Sequence, residues 1–296
     1  MGLVDFNLEG DDVQRCLDIS SNVACKNYFP DQLKCLYNSN KFSLLHLNIR
    51  SLNKHHDDLV ALLHTLQCNF NIIGCTETWL NDKSYVNILN LDGYTLHHKN
   101  RQDRVGGGVC LYSHSSMHVN VRDDLTINDN HSESLFIEID NKTGKNLVVG
   151  VIYRPPNSDP SAFIEKLDEL LLIINKSNKD SIILGDFNID LSKDYSTKNN
   201  FINTLHSCSF YPTINIPTRV TDSSRTVIDN IITNIHNTKF ESGVLMYDIS
   251  DHYPTVLFGT LARKGTQTHH PVKTRVLNEQ PKCESSGQRM GHCLPL

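Results

Sequence analysis

Six short segments carry residues that together could cut a phosphodiester. Asn48 lies in "LHLNIRSL", Glu77 in "CTETWL", Tyr153 and Arg154 in "YRPP". Asp186 and Asn188 lie in "LGDFN", Asp229 in "VIDNI", and Asp251 with His252 in "SDH". Glu77, Asp186 and Asp251 are hard oxygen ligands, and with the amides of Asn48 and Asn188 they suit magnesium or manganese rather than zinc. His252 can donate to a phosphate oxygen or move a proton near neutral pH. Asp229 can orient that histidine and stabilise its charge. A divalent cation offsets phosphate charge while a carboxylate or histidine takes the proton of an attacking water. Any one of these residues alone reads as a turn, packing or helix-end residue; their joint occurrence carries the signal.

The elements that position them follow from hydrophobic patterning. "FSLLHLNI", "FNIIGCTETWL", "SLFIEID", "NLVVGVIYR", "SIILGD", "RTVIDNIIT", "GVLMYD" and "YPTVLFGT" read as strands, several ending in a polar candidate. "HHDDLVALLHTLQC" places Leu59, Leu62, Leu63 and Leu66 on one helical face. "DPSAFIEKLDELLLIINKS" is a helix with Asp159 as its cap and Pro160 in its first turn, and "STKNNFINTLHSC" is another. In "IILGDFN", Gly185 is expected to allow a close turn. Asp186 and Asn188 are expected to share one side of an extended chain, with Phe187 packing on the other. Many consecutive strands among few helices indicate one α/β domain of the sandwich kind over residues 41–261. Residues 1–40 read as a weakly ordered extension with a short helix near "DQLKCLY", and 262–296 as a disordered basic tail.

Composition narrows the class. The 296 residues are 39% hydrophobic and 21% charged, as in ordinary globular proteins. No apolar run is long enough for a membrane span, and the acidic N-terminus is not a secretory signal. Nine cysteines, an odd number without a C-x-x-C pair, are expected to be reduced thiols in an intracellular protein, with the nucleus one option. Net charge is −5, and residues 41–261 carry 19 Lys and Arg against 25 Asp and Glu. A phosphate-bearing partner must therefore meet a local basic patch or a bound cation. The loop "HHKNRQDR", with Lys99, Arg101 and Arg104, is the first candidate for such a patch. Arg154, Arg219 and Arg225 are expected to line the same groove. "VGGGV" lacks the "GK[ST]" of a phosphate loop and reads as structural. An EF-hand beginning at Asp186 is excluded by Leu191 and Thr197, where glycine and glutamate are required. Trp79, the only tryptophan, is expected in the core.

The ordered set "LNIRSL", "CTETWL", "YRPP", "LGDFN", "VIDNI" and "SDH" resembles the endonuclease/exonuclease/phosphatase superfamily. It looks most like the endonuclease domain of jockey-like non-LTR retrotransposon proteins, over residues 42–261. The resemblance implies a DNase I-like, four-layered α/β sandwich: two mixed β-sheets face to face, flanked by helices. It implies Mg2+ or Mn2+ held by Glu77, with Asn48 and Asp251 near it, and a DNA substrate. By the same resemblance Asp186 positions or deprotonates the water, and Asn188 holds the phosphate or nucleophile. Tyr153 contacts the scissile phosphate, and His252, paired with Asp229, stabilises the transition state. Repair-type relatives carry an asparagine where this chain has Pro156, which favours the retroelement type. Such proteins usually continue into a reverse transcriptase, so a truncated, fragmentary or co-opted copy is expected. Two other readings stand beside DNA nicking: a phosphatase or phosphodiesterase acting on small phosphoesters, and a catalytically inactive remnant that binds nucleic acid or protein.

Overall fold

The computed structural model describes residues 24–37, 41–101, 106–127, 129–141 and 144–261. A first unit ends at Lys264 and a second comprises Gly265–Leu296. The expected basic tail and most of the expected N-terminal extension lie outside the described residues.

In chain order the strands are β1 (Ala24–Tyr28), β2 (Phe42–Asn48), β3 (Ile72–Thr76), β4 (Tyr94–Lys99), β5 (Val109–His114), β6 (Val119–Val121), β7 (Glu133–Ile139), β8 (Leu147–Tyr153), β9 (Asp180–Asp186), β10 (Tyr211–Pro212), β11 (Arg219–Val220), β12 (Arg225–Thr226), β13 (Asp229–Thr233), β14 (Glu241–Leu245) and β15 (Thr255–Gly259). One sheet has the order β1-β14-β15-β2-β3-β5-β4, the second β10-β13-β9-β8-β7-β6, and β11 with β12 forms a separate ribbon. The helices are α1 (Pro30–Leu36), α2 (Leu52–Leu66), α3 (Pro160–Lys176) and α4 (Ser196–Ser207).

The period-2 alternation of the strands builds the layers. Leu44, Ile72 and Leu111 of the first sheet meet Val149, Val151, Leu184 and Ile231 of the second in a shared inner core. Their neighbours Leu45 and Ile73 turn outward onto Leu59, Leu62 and Leu66 of α2. On the far side, Val148, Ile152 and Ile183 pack under Phe163, Leu167 and Leu171 of α3 and Phe201 of α4. The result is helix, sheet, sheet, helix: the four-layered sandwich. Asp159 caps α3 by accepting from Ser161 N at 2.9 Å, with Pro160 in the first turn.

Each sheet contains one parallel pair closed by a helical crossover, β2-α2-β3 and β8-α3-β9. A crossover returns the chain in the same direction, so both strands of a pair end at the same edge. Four strand ends, at Asn48, Thr76, Tyr153 and Asp186, are thereby delivered together. In the second sheet, β13 runs antiparallel to β9 and begins at that edge, with Asp229 opposite Asp186.

Two expectations need correction. The domain does not begin at residue 41. Ala24–Tyr28 adds an edge strand parallel to β14, and α1 buries Leu33 behind it. Gly185 does not make a turn. It lies inside β9 opposite Ile152, and a Cβ there would stand 1.9 Å from the Ile152 carbonyl oxygen. Only glycine allows β8 and β9 to approach this closely beside Tyr153 and Asp186. Gly185→Ala is therefore expected to destabilise the protein by about 1–3 kcal/mol, as overpacking does. Urea unfolding would show this as a lower midpoint at unchanged slope; an unaltered midpoint would contradict it.

Candidate active site

The site is the polar end of the inner core. Along β2 the inward positions run Leu44, His46, Asn48; along β9 they end Leu184, Asp186; along β8, Val151, Tyr153; and β13 opens Asp229 before Ile231. Alternation thus sends the last inward residue of each strand to the same place. There the apolar filling gives way to groups that hydrogen-bond across the two sheets.

Asn48 is the link between the sheets. Its Nδ2 donates to Glu77 Oε1 at 3.0 Å and to Asp186 Oδ2 at 2.8 Å. Both acceptors are carboxylates, so the amide orientation is fixed, and Asn48 Oδ1 is left buried without a partner. Asp186 Oδ1 accepts from Asn188 N at 3.0 Å. Glu77 sits just past β3 in the left-handed region at φ 52°, and its Oε2 accepts from Trp79 Nε1 at 3.1 Å. Trp79 is half-buried beside Glu77 rather than in the core. His252 Nδ1 lies 2.8 Å from Asp229 Oδ2, as expected for a charge-stabilised imidazole.

Burial and charge set the protonation states. Desolvation, reinforced by the nearby Asp229 charge, pushes the Asp186 carboxyl up to about 7. Burial acts on Asp229 in the same direction, but the attraction and hydrogen bond of His252 outweigh it and hold Asp229 below the usual range. Burial disfavours the charged form of His252, yet Asp229 overrides this and raises it to about 9. Burial also raises the Tyr153 phenol, helped by Glu77 and Asp186.

Several expected contacts are arranged differently. The Arg154 guanidinium does not line a groove. It is 4% exposed and donates to the carbonyls of Phe187 at 2.6 Å, Asn188 at 2.7 Å and Ser158 at 2.9 Å. It braces the loop after β9 from behind. Asn188 is not extended alongside Asp186: its φ is 49°, and its Nδ2 donates to the Arg154 carbonyl at 2.7 Å. Phe187 packs as expected, between Phe163 and Phe201. Asp251 is held by Arg50 Nη1 at 3.0 Å and Arg219 Nη2 at 2.8 Å, on the flank of His252. Arg101 pairs with the buried Glu133 and lies over the Tyr153 ring, 5.8 Å from its centroid. Lys99 ends β4 half-buried, Arg225 is exposed on β12, and Arg104 lies outside the described residues. A cavity of about 280 Å³ opens beside Glu77 and Tyr153, walled by Trp79, Arg101 and Pro156.

Sequence reasoning missed three participants. His46 is fully buried, with Nδ1 unpartnered, and burial lowers its pKa to about 4. Its position two residues before Asn48 on one strand was a usable signal. Arg50 and Glu133 had none beyond proximity to a motif.

Two groups of side chains could hold a cation. Asp186, Asp229 and His252 offer ligand atoms within 4.8 Å of one another. A histidine held protonated by Asp229 is a poor ligand, however, because a metal needs the imidazole lone pair. Glu77, joined to an Asn48 side chain whose Oδ1 is left without a partner, fits a hard divalent ion better.

Known proteins share this architecture. The endonuclease domain of TRAS1, a telomere-specific non-LTR retrotransposon, is 14% identical, with a TM-score of 0.58 over 74% of this chain and 97% of that one. The AP endonuclease LMAP from Leishmania major is 12% identical, with a TM-score of 0.61 over 86% and 99%. The 3′ phosphatase NExo from Neisseria, solved with a product DNA hairpin, is 16% identical, with a TM-score of 0.51 over 73% and 98%. No curated protein sequence gives a significant match. The sequence profile of the Endonuclease/Exonuclease/phosphatase family matches residues 35–252, which span the sandwich and every site residue from Asn48 to His252; the chain belongs to that family.

Proposed function

We propose that this chain is a divalent-metal-dependent endonuclease that hydrolyses DNA phosphodiesters and leaves nicks, of the retrotransposon-derived kind. The observation that carries this reading is the joining of Glu77, Asn48 and Asp186 in one hydrogen-bonded set beside the Asp229–His252 pair. A Mg2+ or Mn2+ ion held by Glu77 and Asn48 would offset phosphate charge and make water more acidic. Asp186, with its pKa near neutrality, accepts the proton of the attacking water. His252, kept cationic by Asp229, donates a hydrogen bond to a non-bridging oxygen as negative charge builds there. Tyr153, kept as a phenol, donates from the other sheet position at the same edge. A DNA-bound structural neighbour supports the substrate class.

The small cavity beside Glu77 and Tyr153 favours one second reading, hydrolysis of a small phosphoester. Supercoiled plasmid separates the two. Wild-type protein is expected to nick plasmid with Mg2+ and not in EDTA, and Asp186→Asn to lower the rate by about 10²–10⁴-fold. An intact plasmid together with phosphate released from small phosphomonoesters would favour the second reading. The sign of the pH dependence follows from His252. Its protonated form is the active one, so the rate is expected to fall as pH rises through about 9. Asp229→Asn removes the charge that raises this pKa, and the falling limb is expected to move to lower pH. A limb that does not move would separate His252 from the pH profile.

A further inference from the structure

A chain of net charge −5 needs local cations to meet a phosphate backbone, and of the candidates from the sequence Arg219 is the one that reaches the His252 flank of the site. Arg154 is turned inward, and Arg101 is bound to Glu133. The structure adds a second guanidinium, Arg50, beside Arg219 at the catalytic edge. Arg50 follows Asn48 by two residues, and Arg219 forms a β-bridge with His252. Asp251 holds both, accepting from Arg50 Nη1 on Oδ1 at 3.0 Å and from Arg219 Nε and Nη2 on Oδ2 at 2.9 and 2.8 Å. Both arginines remain open to solvent, with side chains 47% and 38% exposed, while the carboxylate between them is less so, at 26%. One carboxylate shared by two guanidiniums leaves a net positive charge and N–H donors for a second acceptor. Such a fork matches the paired oxygens of a phosphate.

We infer that Arg50 and Arg219, fixed by Asp251, form a clamp for a backbone phosphate next to the scissile one. The inference rests on the DNA-cutting reading and deepens it. A clamp beside the reacting centre selects a polynucleotide, which carries a neighbouring phosphate, over a small monoester, which has none. It also gives Asp251 a role as a positioning residue for two arginines. Asp251 sits well below the ordinary carboxylate range: burial raises it, but Arg50 and Arg219 outweigh that effect.

The test measures binding, not turnover. A short fluorescein-labelled DNA duplex is titrated with full-length protein in EDTA at several salt concentrations, and anisotropy gives the affinity. Arg50→Gln and Arg219→Gln are each expected to weaken binding by about 5- to 10-fold. Because both hold one phosphate, the double variant is expected to lose little more than either single, and the log–log salt slope to fall by about 1 rather than 2. Lys176→Gln, at the far end of α3, serves as the control and is expected to bind like wild type. Arg219→Lys, which keeps the charge but loses the fork, replaces Arg219→Gln if the latter melts early, and is expected to weaken binding too. Wild-type affinity and slope in the variants would overturn the clamp, as would independent losses with a slope change of about 2. Plasmid nicking run in parallel keeps the two levels apart. A protein that nicks DNA but binds it without regard to Arg50 and Arg219 loses the clamp and keeps the function. A protein that neither binds nor nicks DNA loses both.

Discussion

One buried amide holds the site together. Asn48 donates from the first sheet to Glu77 and, across the interface, to Asp186 in the second. Two carboxylates at the end of an apolar core carry a desolvation cost that must be offset by hydrogen bonds or counter-charge. Asn48 supplies part of that offset for Asp186, together with the His252 charge and the Asn188 N–H, while the Asp229 charge works against it. Removing the amide leaves Asp186, which is 1% exposed, without the donor from the other sheet. Such a constraint also sets how closely the sheets must approach, because a hydrogen bond of 2.8 Å tolerates no slack.

The surrounding fold meets that demand in identifiable ways. The two helical crossovers bring four strand ends to one edge. Gly74 in β3 carries no Cβ, where one would stand 2.2 Å from Leu184 Cδ1, so the sheets close down just behind the site. Gly185 does the same between β8 and β9. Arg154 then locks the loop that follows Asp186 by donating to its carbonyls, which keeps the Asp186 side chain in register with Asn48. A buried guanidinium bonded to carbonyls contributes rigidity rather than substrate contact, and burial depresses its pKa despite the nearby Asp186 charge.

Much of this was legible in the sequence because one rule, alternation along strands, controls it. The runs ending at Tyr153 and Asp186 show apolar partners two residues back, the run ending at Asn48 shows Leu44 four back, and the sandwich follows from them. The same rule, applied strictly, separates Tyr153 from Arg154: adjacent residues on a strand face opposite ways, so both could not enter the site. His46 was open to the same reasoning from Asn48. Other features are set by distant pairing and left no local mark. Residues Ala24–Tyr28 read "ACKNY", with little apolar content, and become a strand only because β14, more than 200 residues later, offers an edge. Asn188 leaves the extended path in a left-handed turn whose partner, the Arg154 carbonyl, is 34 residues away. Arg50 and Arg219 are brought together by Asp251, 201 and 32 residues from them.

In the proposed mechanism the metal belongs to Glu77 and Asn48 and proton handling to Asp186, Asp229 and His252, although the latter three form the tighter cluster. A charged His252 held by Asp229 is the reason for that division. A crystal grown with Mn2+ and measured near the manganese absorption edge tests it most directly. An anomalous peak is expected against the Glu77 carboxylate on the Asn48 side, with the His252–Asp229 hydrogen bond intact. A peak enclosed by Asp186, Asp229 and His252, with that hydrogen bond broken, would contradict it.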